Sequence, residues 1–158
     1  EFPYQVLPMH IEDIFWKLIS QDITPVLAHV ERYPYLIQDP FPINDWLQMG
    51  VGLQVTASSL FGRFGPEIMG FSRTLMEHNM VHVLSTDGHG TSSRRPIMSK
   101  AGEWVDKHFG PRTAQDVLCR RAECILRGQE MDPPDFIPFQ VKKGLGQRIL
   151  AMLGGKKA

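Results

Sequence analysis

The sequence predicts an α/β fold with a parallel sheet, on three observations. Amphipathic stretches of helical period alternate with short apolar runs, the helix-then-strand order recurs, and no internal repeat or low-complexity linker interrupts it. A chain of 158 residues suits one domain or a large part of one. Periodicity leaves open whether the sheet is open or closed into a barrel.

The elements follow in order. The chain opens on "EFPYQVLP", read as extended and apolar; because it starts at Glu1 without methionine or a capping lead-in, it is expected to be a segment of a longer protein. "HIEDIFWKLISQD", 10–22, carries Ile11, Ile14, Phe15, Leu18 and Ile19 on one helical stripe. "TPVLA", 24–28, is a short apolar run entered through Pro25, the pattern of a buried strand. A second helix is predicted over "INDWLQMG", with Asn44 or Asp45 near its cap and Gly50 at its stop, and "VGLQVTA" is the next strand. "GPEIMGFSRTLMEHN" and "VHVLS" form the third helix–strand pair. Two further helices, "MSKAGEWVDKHFG" and "AQDVLCRRAECILRG", each close on glycine.

Seventeen basic and seventeen acidic side chains balance, so no overall field draws the protein to nucleic acid or an anionic membrane, and anion recognition must be local. No apolar run is long enough to span a bilayer and no charged-then-apolar leader is present, which points to a soluble, cytoplasmic chain. Cys119 and Cys124 lie about 140° apart around a helix axis and are expected to be reduced, small buried side chains. Neither is followed six positions later by arginine, so the loop of the cysteine-dependent phosphatases is absent.

In parallel α/β proteins chemistry gathers at the carboxyl ends of the strands. Here those ends carry His29, Glu31 and Arg32; then Thr56, Ser58 and Ser59; then Thr86, Asp87 and His89. Asp87 and His89 are two apart, and on an extended backbone they project to one side. With His29 they make an oxygen and nitrogen ligand set suited to manganese, iron or zinc, while Arg32 and Arg94 are placed to hold an anion. A metal there would activate water and polarise a phosphoryl oxygen. Taken singly, an Asp-x-His loop is also a common capped turn and each arginine a common solvated side chain; position at the strand ends favours a site. The other histidines have plainer readings: His10 and His78 on helices, His78 as a surface group at a helix end, His108 at a helix terminus, and His82 buried and hydrogen-bonded within a strand.

These residues carry a family resemblance. "TPVLAHVERYPYL" resembles the "P-I-L-A-H-P-E-R-Y" segment of the bacterial PHP-type protein-tyrosine phosphatases, metal-dependent enzymes of capsule and exopolysaccharide systems. "GVGLQVTASSLFGRFG" is similar to their "G-x-x-x-Q-x-T-x-x-S-x-x-G-x-F-G" segment, "STDGHGTSSRRP" to their "S-D-x-H" segment, and "AECILRGQ" to their closing helix. The resemblance covers nearly the whole chain apart from the last twenty or so residues.

It implies the carboxy-terminal portion of a distorted (β/α)7 barrel with a three-metal cluster, of Mn²⁺ or of other divalent ions such as Fe²⁺ or Zn²⁺. The family's metal ligands fall on Glu1, His29, Asp87 and His89, with Glu1 from an "E-F" strand, and its phosphate-engaging arginines on Arg32 and Arg94. The implied substrate is phosphotyrosine in the tail of a membrane-anchored bacterial tyrosine kinase of polysaccharide export. The departures are Val30 in place of the proline, Gly88 between the two ligands, and no counterpart of the family's amino-terminal "D-x-H-x-H" strand. Four ligands do not complete such a cluster, so the chain alone is expected to bind metal weakly and to have little activity.

The expected organisation is a partial phosphatase domain at 1–138 and a basic tail at 139–158. The tail reads either as an amphipathic helix touching a membrane or partner, or as a flexible segment weakened by Gly144, Gly146 and Gly154. Two alternatives to the phosphotyrosine phosphatase stand: a non-catalytic binding module, and a phosphatase of a small phosphomonoester such as histidinol phosphate.

Overall fold

A computed structural model describes residues 1–92 and 95–140 and has the α/β character expected. In order it contains α1 (Ile11–Ile19), β1 (Val26–Leu27), α2 (Pro34–Gln38), α3 (Pro42–Gln48), β2 (Gly52–Thr56), α4 (Pro66–Glu77), β3 (Val83–Ser85), α5 (Ser99–Phe109), α6 (Pro111–Gln115) and α7 (Arg121–Arg127). Tight 3₁₀ turns at Val30–Arg32 and Ala57–Phe61 follow β1 and β2. The sheet is parallel in the order β1-β2-β3, pairing Val26 with Gly52 and Gln54, Val55 and Thr56 with Val83, Leu84 and Ser85. All five residues of β2 are buried, as a central parallel strand covered on both faces must be.

The core gathers on this sheet. Ile11 and Phe15 of α1 point inward, while Ile14 is 38% exposed, so the buried stripe is narrower than the apolar one. Phe15 meets Trp46 of α3 edge-on at 5.5 Å, and Trp46 Nε1 donates to Glu12 at 2.8 Å. Such an aromatic pair contributes about 0.5–1.5 kcal/mol beyond its buried area. Gly52 is closely packed, since a Cβ there would lie 3.1 Å from both Met131 Cε and Val26 Cγ2.

Several expectations are corrected. Residues 1–8 form no strand: Val6 N–H bonds back to the Pro3 carbonyl, and Phe2 is held through its own N–H and carbonyl by the Tyr33 hydroxyl. Asn44 caps no helix; its side chain makes both hydrogen bonds to the Phe139 backbone, and α3 instead begins with Pro42 after Phe41. The helix expected over 114–128 starts at Pro111 and contains a π-turn at Asp116–Arg120. Val117 and Arg121 take its inward positions, so Cys119 is exposed and Cys124 only half-buried, both as free thiols. His78 is half-buried, its ring 4.5 Å from Phe139 and its Nδ1 2.7 Å from the Ile137 carbonyl.

Arg94 and the tail beyond residue 140 lie outside the described residues. Among the described residues no helix is long and apolar enough to cross a membrane.

His82 is the buried, hydrogen-bonded histidine the strand pattern predicts. Its Nδ1 accepts the Leu53 N–H at 3.2 Å, and its own N–H donates to the Leu53 carbonyl. Burial, with Arg121 nearby, pushes its pKa down to about 4. Because the folded value lies below the ordinary 6.5, the unfolded chain takes up a proton first as pH falls. The contribution is therefore complete above pH 6.5 and is lost towards pH 4, amounting to about 3 kcal/mol at most. Urea unfolding of the parent chain and of His82→Asn at pH 7 and pH 4.5 checks this: the variant should lose distinctly less stability between the two, and equal losses would remove His82 as the cause.

Candidate functional site

The site is built at the carboxyl ends of all three strands. After β1 the chain turns sharply at His29, whose φ of 55° lies in the left-handed region. His29 N–H donates to Gln54 Oε1 at 3.0 Å, and Gln54 Nε2 donates to Ser85 Oγ at 2.8 Å. One side chain of β2 thus ties the segments after β1 and at the end of β3 together. The His29 ring is buried, with Nδ1 2.8 Å from Thr56 Oγ1. Nε2 is left facing Glu1 Oε1 at 3.8 Å and Asp87 Oδ2 at 3.9 Å. Its pKa is lowered, first by burial and then by the Arg32 charge, which together outweigh the carboxylates.

Two residues on, Glu31 is fully buried. Its Oε1 accepts from Thr56 N–H at 3.1 Å and Ser59 Oγ at 2.7 Å, and lies 3.5 Å from Arg32 Nε. Arg32 is spread across the site: Nη2 donates to Thr56 Oγ1 at 2.7 Å and to Asp87 Oδ2 at 3.1 Å, and Nη1 donates to the Tyr4 hydroxyl at 3.1 Å. Its guanidinium stacks 4.1 Å from the Phe64 ring centre. Tyr4 in turn donates to Glu1 Oε1 at 3.0 Å, and burial followed by that bond raises its pKa, so it stays a protonated donor.

Asp87 and His89 do meet, but not on an extended backbone. Asp87 has φ 50°, so the chain bends there, and His89 Nδ1 approaches both the Asp87 carbonyl at 2.8 Å and its Oδ1 at 3.2 Å. The left-handed residue is Asp87 rather than Gly88. Gly88 is closely packed, since a Cβ there would lie 3.2 Å from both Pro96 Cβ and Thr86 Oγ1. Between these groups opens a cleft of about 110 Å³ lined by Arg32, Thr56, Ser58, Phe64, Arg95 and Ile97, among others. Ser59 faces away from it, into the bond with Glu31.

The donors of this site fit a divalent ion in kind, being imidazole nitrogen and carboxylate oxygen. A ring that donates Nδ1–H to Thr56 carries its free lone pair on Nε2, which here faces the two carboxylates. In arrangement the fit is partial: among the described residues no three His, Cys, Asp or Glu side chains stand close enough to hold an ion by themselves. Glu1 and His89 are more than half exposed and Asp87 is engaged by Arg32.

Of the residues singled out from the sequence, Glu1, His29, Arg32, Asp87 and His89 come together. Glu31, noted at the end of the first strand but given no role, also belongs to the site, as do Tyr4, Gln54, Phe64 and Arg95, which were not foreseen as parts of it. Gln54 and Phe64 had a signal, being the glutamine and phenylalanine of the family segment that residues 50–65 resemble.

A model of the family described as capsular polysaccharide synthesis, CpsB/CapC, matches residues 1–127. The tyrosine-protein phosphatase YwqE of Bacillus subtilis is 32% identical over 148 residues, covering 92% of this chain and 57% of that protein. The tyrosine-protein phosphatase CpsB of Streptococcus agalactiae is 27% identical over 132 residues, covering 80% and 54% respectively. A solved structure, from work on YwqE of Bacillus subtilis and CpsB of Streptococcus pneumoniae as unique metal-dependent tyrosine phosphatases, superposes with a TM-score of 0.78 at 29% identity, covering 87% of this chain and 56% of that one. The chain thus spans about half the length of the curated relatives it matches.

Glu31 generates a direct expectation. Glu31→Ala removes the acceptor for Thr56 N–H and Ser59 and leaves Arg32 Nε beside a void, which should destabilise the chain by about 3–5 kcal/mol. A denaturant midpoint within error of the parent would show that the buried carboxylate does not hold the site together.

Proposed function

The chain belongs to the CpsB/CapC family of capsular polysaccharide synthesis, and on that basis we propose that it carries the phosphate-binding wall and part of the metal-binding wall of a phosphoesterase acting on protein phosphotyrosine. The observation that carries this reading is the convergence of His29 and Arg32 after β1, Thr56 at the end of β2 and Asp87 after β3. The turn after β1 brings an imidazole and a cation to the hydroxyl at the end of β2, and the same cation meets the carboxylate that follows β3. Residues 1–138 then belong to a distorted (β/α)7 barrel of the PHP type, with 139–158 as an appended basic segment.

Glu1, His29, Asp87 and His89 are proposed as donors to a divalent-metal centre, with Mn²⁺ first and Fe²⁺ or Zn²⁺ as alternatives. When bound, such an ion supplies an activated water and a Lewis acid at a phosphoryl oxygen. The protein's own groups do the rest. Arg32 has five N–H donors and three hydrogen bonds; Nε lies against Glu31, so an Nη1–H remains to meet a phosphoryl oxygen. Arg95 of the same cleft adds a second cation, and Arg94, in the adjoining sequence, is assigned the same role. Phe64 and Ile97 offer an apolar wall to the tyrosyl ring, which a small aliphatic phosphomonoester would leave unused. The substrate is placed in the tail of a membrane-anchored bacterial tyrosine kinase, with the basic segment as a peripheral membrane contact.

The test uses the 158-residue chain with added Mn²⁺ and compares a phosphotyrosyl peptide with histidinol phosphate. Turnover is expected to be slow and to favour the peptide, with Arg32→Ala lowering it by about 10²-fold and weakening peptide binding about tenfold. Equal turnover of both substrates would overturn the phosphotyrosine assignment. Peptide binding without Mn²⁺-dependent turnover would favour a binding module, a reading to which the partly assembled donor set also lends support. Calorimetry with Mn²⁺ alone should give weak binding that His29→Ala abolishes; tight binding unaffected by that substitution would remove His29 from the ligand set.

A further inference from the structure

At the other end of β3 lies a second polar cleft, of about 380 Å³, lined by Asn79, Arg112, Thr113, Asp116, Arg120 and Arg121 and closed by the 132–135 segment. Its unusual member is Arg121. It is only 6% exposed; among the described residues its one hydrogen bond is a long one from Nη1 to the Val81 carbonyl at 3.3 Å, and its Nε–H has no partner. No carboxylate among the described residues lies within ion-pairing distance of it. The nearby Asp116 and Asp132 are both taken by Arg120, at 2.7 and 2.6 Å.

A guanidinium whose Nε–H is shielded from water and meets neither a carbonyl nor a carboxylate among the described residues is unfavourable unless its charge is met from elsewhere. The backbone puts it there deliberately: the π-turn at Asp116–Arg120 adds a residue to the helix just ahead of Arg121, and such turns recur at functional sites. Burial also lowers the Arg121 pKa, the direction expected of a cation lacking a counter-ion.

We infer that this cleft is a binding site for a small oxyanion, held by the guanidinium of Arg121 with Arg112 at its mouth. The side chains fit that role. A phosphate or carboxylate group has the oxygen spacing that a guanidinium edge grips with two parallel bonds. Arg112 is exposed and free to close over a ligand. Asp116, Asp132 and Asp135 balance the three arginines, so the cleft draws no anion from a distance, and binding depends on the short-range bonds to Arg121. The site lies apart from Arg32 and does not depend on the phosphatase reading.

The experiment titrates inorganic phosphate, with acetate and chloride in parallel at constant ionic strength, into the full ¹⁵N-labelled chain and follows the arginine Nε–H resonances. The Arg121 signal should shift saturably with phosphate or acetate and not with chloride, and Arg112→Ala should raise the dissociation constant about tenfold. In Arg121→Lys the Arg112 Nε–H signal, which reports on the same cleft, should no longer move with phosphate, and a saturable Arg112 shift of parental size would overturn the inference. An Arg121 signal unmoved by both anions would overturn the inference, as would an Arg112→Ala chain that binds as tightly as the parent. The first of these needs no variant, so a failure of Arg121→Lys to fold would not blunt the test.

Discussion

The buried carboxylate of Glu31 is the constraint on which the candidate site depends. It lies in the turn after β1 and accepts from the end of β2 through Thr56 N–H and from the following turn through Ser59, while facing Arg32 Nε. A carboxylate so placed is tolerated only because its surroundings supply donors, and those donors fix the geometry around it. Once the turn is locked, His29 and Arg32 have little freedom, and both converge on the Thr56 hydroxyl. The position of the β1 turn relative to β2 is thus set by polar bonds at the strand ends and by apolar packing beneath them.

The same region stores backbone strain. His29 and Asp87 both adopt left-handed φ without being glycine, each at a cost of order 1–3 kcal/mol. Each is held there by a side-chain bond to another element, His29 through Gln54 and Thr56 and Asp87 through Arg32. Gly88, next to the second of these, admits the close approach of Pro96 that packs the loop. His29 and Asp87 are two of five non-glycine residues at left-handed φ among the described residues, and the neighbours that hold these two are themselves members of the candidate site.

The two buried guanidiniums show opposite solutions to one problem. Arg32 is met by Asp87, Thr56, Tyr4 and the Phe64 face, a ring of partners drawn from four parts of the chain. Among the described residues Arg121 is met by one carbonyl, and the neighbouring arginine takes the carboxylates. The difference comes from the helix: the π-turn brings Arg121 to an inward position beside Val117 but leaves Asp116 and Asp132 on the side of Arg120.

Local pattern alone determined a good deal. Helix-then-strand alternation was enough for the parallel α/β class, the three strands fell where short apolar runs end in polar residues, and His29, Arg32, Asp87 and His89 were legible because strand ends are where such residues gather. Element ends were less legible: Asn44 is used by Phe139 ninety-five residues away, and the π-turn leaves no mark in the apolar spacing. Only the tertiary structure decided that Glu31 lies at the centre of the candidate site, that Asp87 takes the bend beside Gly88, and that Arg121 is buried without a counter-ion among the described residues. The physical reason is common to all three. Each depends on which polar partner arrives from a distant segment, and periodicity records burial but not the identity of the neighbour.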